Sequence, residues 1–109
     1  MRGDQLRLSD ILERIDRILE ATVEGRAKFK ESQIIQDAVI RNLEVIGEAS
    51  AQLSADVRHL HPELPWRAMI GFRNLASHAY WKIEPTRLWA IVEMLPKTRT
   101  QVASIQVSE

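Results

Sequence analysis

Arg73, His78 and Tyr80 fall inside the nine-residue run RNLASHAYW at 73–81. A guanidinium keeps its proton at any physiological pH and offers forked donors that match a phosphate. An imidazole gives and takes protons near neutrality. Those are the abilities that RNA cleavage without a metal requires. The ribose 2′-hydroxyl attacks the adjacent phosphorus while a base removes its proton. An acid then protonates the leaving oxygen, and a cation stabilises charge on the phosphoryl oxygens. One His and one Arg are thin for that task, whereas two chains sharing a cleft would supply a separate base and acid.

Each residue also has a plainer reading. Arg73 could bind helix-end carbonyls or a carboxylate, His78 could pack under the last helix, and Tyr80 could be a half-buried aromatic with its hydroxyl at the rim. Asn74 could cap a turn, the reading favoured here, or orient the site as a supporting residue. Arg67, Lys82 and Arg87 flank the run and could extend a phosphate-binding patch, although charges on helices are usually just solvated. Trp66, Phe72, Trp81 and Trp89 could stack on bases, but at helical spacing they read as core or interface. His59, His61 and Glu63 form an H-x-H-x-E run. Two prolines stiffen that segment and no fourth ligand is evident nearby, so no metal is assigned.

The elements that must hold these side chains are all helical. Leu8, Ile11, Leu12, Ile15, Ile18, Leu19 and Val23 recur at three- and four-residue steps, which predicts an amphipathic helix over about 9–25 with Ser9 as cap and Gly25 as stop. Arg26 to Lys30 reads as a basic connection. A longer helix follows from Ser32 to Leu53, with Ile35, Val39, Leu43, Ile46, Ser50 and Leu53 on one face. Asp37, Arg41, Glu44 and Glu48 form a charged stripe on another, read as a solvated face; the alternative is a polar cleft near the site. Gly47 sits inside this helix among Ala38, Ala49 and Ala51, where it weakens the helix relative to alanine; it therefore marks a close crossing with another helix.

Ser54 to Arg58 can begin a short helical turn, and HLHPELP (59–65) breaks the periodicity. Pro65 suits the first turn of a third helix through Trp66, Met69, Ile70 and Phe72. Residues five apart on a helix lie about 140° apart, so that helix must end near Leu75 to Ser77 if His78 is to turn toward Arg73. Pro85 opens the last helix, with Leu88, Trp89, Val92 and Leu95 on its apolar face and a kink or brief break at Pro96 before Val102 and Ile105. The expected fold is all-α: a single domain over 1–109, an antiparallel bundle of four main helices with a kinked last helix.

Composition narrows the function classes. The absence of cysteine removes thiolate chemistry, disulfides and cysteine-based zinc sites. Fifteen basic residues balance fifteen acidic ones, so RNA contact must come from a local patch or one assembled from two copies. The apolar runs are far short of the roughly 20 residues that cross a bilayer. The polar stretch MRGDQLRLSD lacks a signal-peptide core. A cytoplasmic protein without membrane contact is expected.

Arg73, His78 and Tyr80 spell Arg-x4-His-x-Tyr, and that pattern resembles the signature of the HepT proteins, a branch of the HEPN ribonuclease superfamily. The flanks RNLEVIGEAS (41–50) and HPELPWRAMIGFRN (61–74), and the pair Ile83-Glu84, are similar to their counterparts there, so the resemblance covers nearly the whole chain. It implies a HEPN-like helical homodimer in which Arg73 and His78 match a catalytic pair that acts on RNA, including transfer RNA, with no metal or other cofactor. Tyr80 matches the residue that a partner minimal nucleotidyltransferase, the antitoxin, modifies with AMP. The chain has HAYW where HGYF is commoner and Glu84 where Asp is commoner; Ala79 narrows the backbone freedom beside His78. That change, with the neutral charge, motivates an alternative: an inactive module binding a nucleotide or partner. A scaffold dimerising through helix one is a third reading.

Overall fold

The computed structural model describes residues 2–75 and 83–107. These form six α-helices and one 3-10 turn, in the order α1 (Arg2–Ala21), α2 (Arg26–Glu31), α3 (Gln33–Gln52), α4 (Ala55–Leu60), α5 (Trp66–Gly71), the 3-10 turn (Phe72–Asn74) and α6 (Pro85–Ala103). No strand occurs among the described residues. The all-α bundle expected from periodicity is what forms. Among the described residues three helices are long, α1, α3 and α6, and three have six residues each, α2, α4 and α5, the last extended by the 3-10 turn.

Ile11, Ile15 and Ile18 of α1 are fully buried, together with Val39 and Leu43 of α3. Leu88, Val92, Leu95 and Val102 of α6 close the same core. Pairings along the helices fix their directions. Asp4 meets Ser54 at one end of α1, and Arg14 bonds Asn42 at 3.3 Å further along. The two pairs run in opposite senses along the chain, so α1 and α3 are antiparallel. Asp16 pairs with Arg99, with one bond at 3.1 Å, and Gln5 and Leu8 border the same groove as Ile105 and Gln106. Helix α6 therefore also runs antiparallel to α1.

Four sequence readings need correction. Helix α1 spans Arg2–Ala21, not 9–25, and Ser9 is an interior residue rather than a cap. Its early start is held by a contact that no local pattern reveals: the Asp4 carboxylate, in the first turn, accepts from the Ser54 amide and hydroxyl, each at 2.8 Å. Its end comes where Thr22 Oγ1 donates to the Ile18 carbonyl at 2.8 Å, and Gly25, at φ 94°, turns the chain. Arg26–Lys30 is not a bare connection, since it forms α2, anchored by the fully buried Phe29. Phe29 stacks obliquely on Trp89 of α6 with ring centroids 5.2 Å apart. The Gln36 side chain donates to the Phe29 and Lys30 carbonyls, satisfying the end of this short helix.

Pro65 is the cap residue just before α5, not part of its first turn. Pro85 stands at the first position of α6 as expected, and α6 continues through Pro96 without the brief break considered above. Ser32 caps α3 by accepting from the Ile35 amide at 3.2 Å, and Ser54 caps α4 through the Val57 amide at 3.3 Å. None of the helices, among the described residues, is long and apolar enough to cross a membrane.

Candidate functional site

The element that carries Arg73 is seated from both sides of its own backbone. Trp66 opens α5 with its indole buried, donating from Nε1 to the His61 carbonyl at 2.9 Å. Met69 and Phe72 are buried one turn apart, so the apolar side of α5 and the 3-10 turn faces the core. After Gly71 the α-helix tightens into the 3-10 turn, which the Leu75 amide closes on the Phe72 carbonyl at 3.2 Å. The helix end expected near Leu75 to Ser77, and the turn that would bring His78 toward Arg73, fall on residues outside those described beyond Leu75.

Gly47 explains how closely this turn approaches α3. A Cβ there would lie 2.3 Å from the Arg73 amide nitrogen, 2.9 Å from the Met69 carbonyl oxygen and 3.0 Å from the Arg73 Cα. The close crossing read from the small residues of α3 is real, and its partner is the backbone of Arg73 itself. The sequence displays the glycine and the arginine but not their contact. Nothing in local spacing links positions 26 residues apart, although a glycine tolerated mid-helix was the available signal.

The Arg73 side chain is exposed, and no hydrogen bond or ion pair engages it among the described residues. Its guanidinium is therefore held out to solvent by a turn whose backbone is locked. The plainer reading, an arginine spent on helix-end carbonyls or a carboxylate, finds no support in that arrangement. Asn74 is exposed beside it. Arg67, in the first turn of α5, and Arg87, in the first turn of α6, are exposed too. His78, Tyr80, Lys82, Ala79 and Trp81 lie outside the described residues. The seven residues 76–82 connect Leu75 to Ile83, and both of those pack against the core.

The charged stripe on α3 behaves as a solvated face. Gln33 donates to Asp37 at 2.8 Å, Gln52 donates to Glu48 at 3.0 Å, and Arg41 approaches Glu44 at 3.9 Å. Glu44 is the exception, with a side chain only 20% exposed, one turn before Gly47 on the face that meets α5. His61 Nδ1 lies 3.3 Å from Glu63 and His59 is exposed. Among the described residues no group of three His, Cys, Asp or Glu side chains is arranged to hold a metal. Trp66 and Phe72 belong to the core and Trp89 packs on Phe29, so these three rings are structural.

The described residues form an all-helical bundle in which Arg73, exposed on the turn after α5, stands at the head of the Arg-x4-His-x-Tyr run of the sequence. The family profile described as "Ribonuclease HepT-like" matches residues 11–105. This chain belongs to the HepT-like ribonuclease family. It is similar to a protein of Methanocaldococcus jannaschii named "Putative RNase MJ1380", 41% identical over 97 residues that cover 87% of this chain and 89% of the relative. It is also similar to "Probable ribonuclease HepT" of Thermococcus cleftensis, 44% identical over 87 residues, 79% of each chain. No solved structure matches.

Proposed function

We propose that this protein is a metal-independent endoribonuclease, the toxin of a toxin–antitoxin pair, working with Arg73 and His78 at a cleft shared by two subunits. The observation that carries the reading is Arg73, exposed and without a partner among the described residues, on a turn whose backbone is packed against α3, at the head of the run containing His78 and Tyr80. Arg73 binds the scissile phosphate and stabilises the charge that builds on its oxygens. His78 of one subunit takes the 2′-hydroxyl proton and His78 of the other protonates the leaving 5′-oxygen. The products are a 2′,3′-cyclic phosphate and a free 5′-hydroxyl. Asn74 supports the turn, and Arg67, Lys82 and Arg87 extend the contact to neighbouring RNA phosphates. Transfer RNA is the substrate class suggested by the family resemblance.

Tyr80 is the regulatory residue. A partner minimal nucleotidyltransferase transfers AMP from ATP to its phenolic oxygen with release of pyrophosphate. The added phosphate and adenosine bring negative charge and bulk to the cleft where RNA phosphate must bind. The balanced charge of the chain and Ala79 favour one second reading, a cleft that holds a nucleotide or the partner without cleaving RNA. Expression without the partner separates the two. Growth should slow with the unaltered protein and recover with Arg73→Ala or His78→Ala, while the purified variants keep their helical content. Equal toxicity from His78→Ala would remove the catalytic role.

A further inference from the structure

We infer that Gly47 is the positioning residue for Arg73, the absent side chain that sets where the guanidinium stands in the cleft. The inference rests on the ribonuclease reading and adds to it a residue that contributes no atom to the chemistry. Three backbone atoms block a methyl group at position 47: the Arg73 nitrogen, the Arg73 Cα and the Met69 carbonyl oxygen. Backbone cannot swing aside as the tip of a flexible side chain can. The turn cannot roll away either, because Met69 and Phe72 on its inner side are buried in the core. Any side chain at 47 must push the whole Phe72–Asn74 turn off α3, and the guanidinium at the end of a long side chain magnifies that shift. A misplacement of about 1 Å at a reacting centre can cost on the order of 100-fold in rate.

Two features separate this role from ordinary packing. Alanine forms helix better than glycine, so a loss on Gly47→Ala cannot come from the helix itself. Gly71, the last residue of α5 and two positions before Arg73, has helical dihedrals and nothing within 4 Å of a built Cβ. It marks a position where the same substitution meets open space.

The test measures transfer-RNA cleavage by the unaltered protein, Gly47→Ala, Gly71→Ala, Arg73→Ala and the Gly47→Ala/Arg73→Ala double variant. Assays are run at a temperature where circular dichroism shows each to be folded. Gly47→Ala should lose at least about 30-fold in kcat/KM and Gly71→Ala should stay within about 2-fold. The double variant should be no worse than Arg73→Ala, because a residue acting through Arg73 has nothing left to position. A folded Gly47→Ala protein that cleaves like the unaltered one overturns the inference, as does a further loss in the double variant. If the unaltered protein itself fails to cleave, it is the ribonuclease reading that falls. If Gly47→Ala does not fold, amide exchange in the unaltered protein decides: the Arg73 amide should exchange as slowly as those at the centre of α3, and exchange at the rate of exposed amides overturns the inference.

Discussion

At the scale of the residue, Arg73 and Asp4 illustrate opposite uses of a charge. Arg73 is exposed and has no partner among the described residues, so Arg73→Ala should change stability by no more than about 0.5 kcal/mol while lowering cleavage by roughly 100-fold or more. Thermal melts beside a cleavage assay check this, and a large drop in melting temperature would place the side chain in the fold instead. Asp4 is buried and spent on structure. Burial pushes its carboxyl up, but the bonds from the Ser54 amide and hydroxyl, together with a nearby ammonium charge, hold it below the usual aspartate value. A folded-state value below the unfolded one means the stabilisation is present above the ordinary aspartate value of about 3.9 and disappears as pH falls through the folded value. The melting temperature should therefore fall on acidification below about pH 4, and Asp4→Asn should flatten part of that fall. An unchanged acid profile in Asp4→Asn would show that other carboxylates carry it.

At the scale of the element, the sequence was informative where a helix is long and amphipathic. Helix α3 was legible from Ser32 to Leu53 because its cap and its apolar repeat agree, and Pro85 announced α6. Helix α2 was not, since six residues with one apolar anchor, Phe29, show no period; the helix exists because Phe29 meets Trp89, 60 positions away. The first two turns of α1 depend in the same way on Asp4 finding Ser54 across 50 residues. Within the candidate site, side-chain types suggested the proposed chemistry, but the seat of Arg73 on Gly47 was visible only once α3 met the turn after α5. Pro96 offers a test at this scale. It lies exposed inside α6, where it supplies no amide for the fourth carbonyl before it. Pro96→Ala should raise stability, on the order of 1–3 kcal/mol, by restoring that bond. A lower melting temperature would mean that α6 needs the proline's distortion to pack on α1.

At the scale of the molecule, the proposed reaction requires two copies of the chain. One subunit offers a single Arg73 and a single His78, and the proposed reaction needs an acid and a base at once. Sedimentation should find a dimer, and specific activity should fall on dilution once monomers appear; activity that persists unchanged in a monomer would show that one chain suffices. Binding of RNA by a chain with no net charge must rest on local cations, so affinity should weaken with salt by only a few phosphate contacts' worth. The central claim is that Arg73 and His78 cut RNA without a metal. Its most direct test is to incubate the purified protein with transfer RNA in excess chelator and analyse the fragment ends. Fragments ending in 2′,3′-cyclic phosphate, abolished by His78→Ala, are expected; intact RNA, or cleavage that appears only when a divalent cation is added back, would overturn metal-free cleavage by this pair.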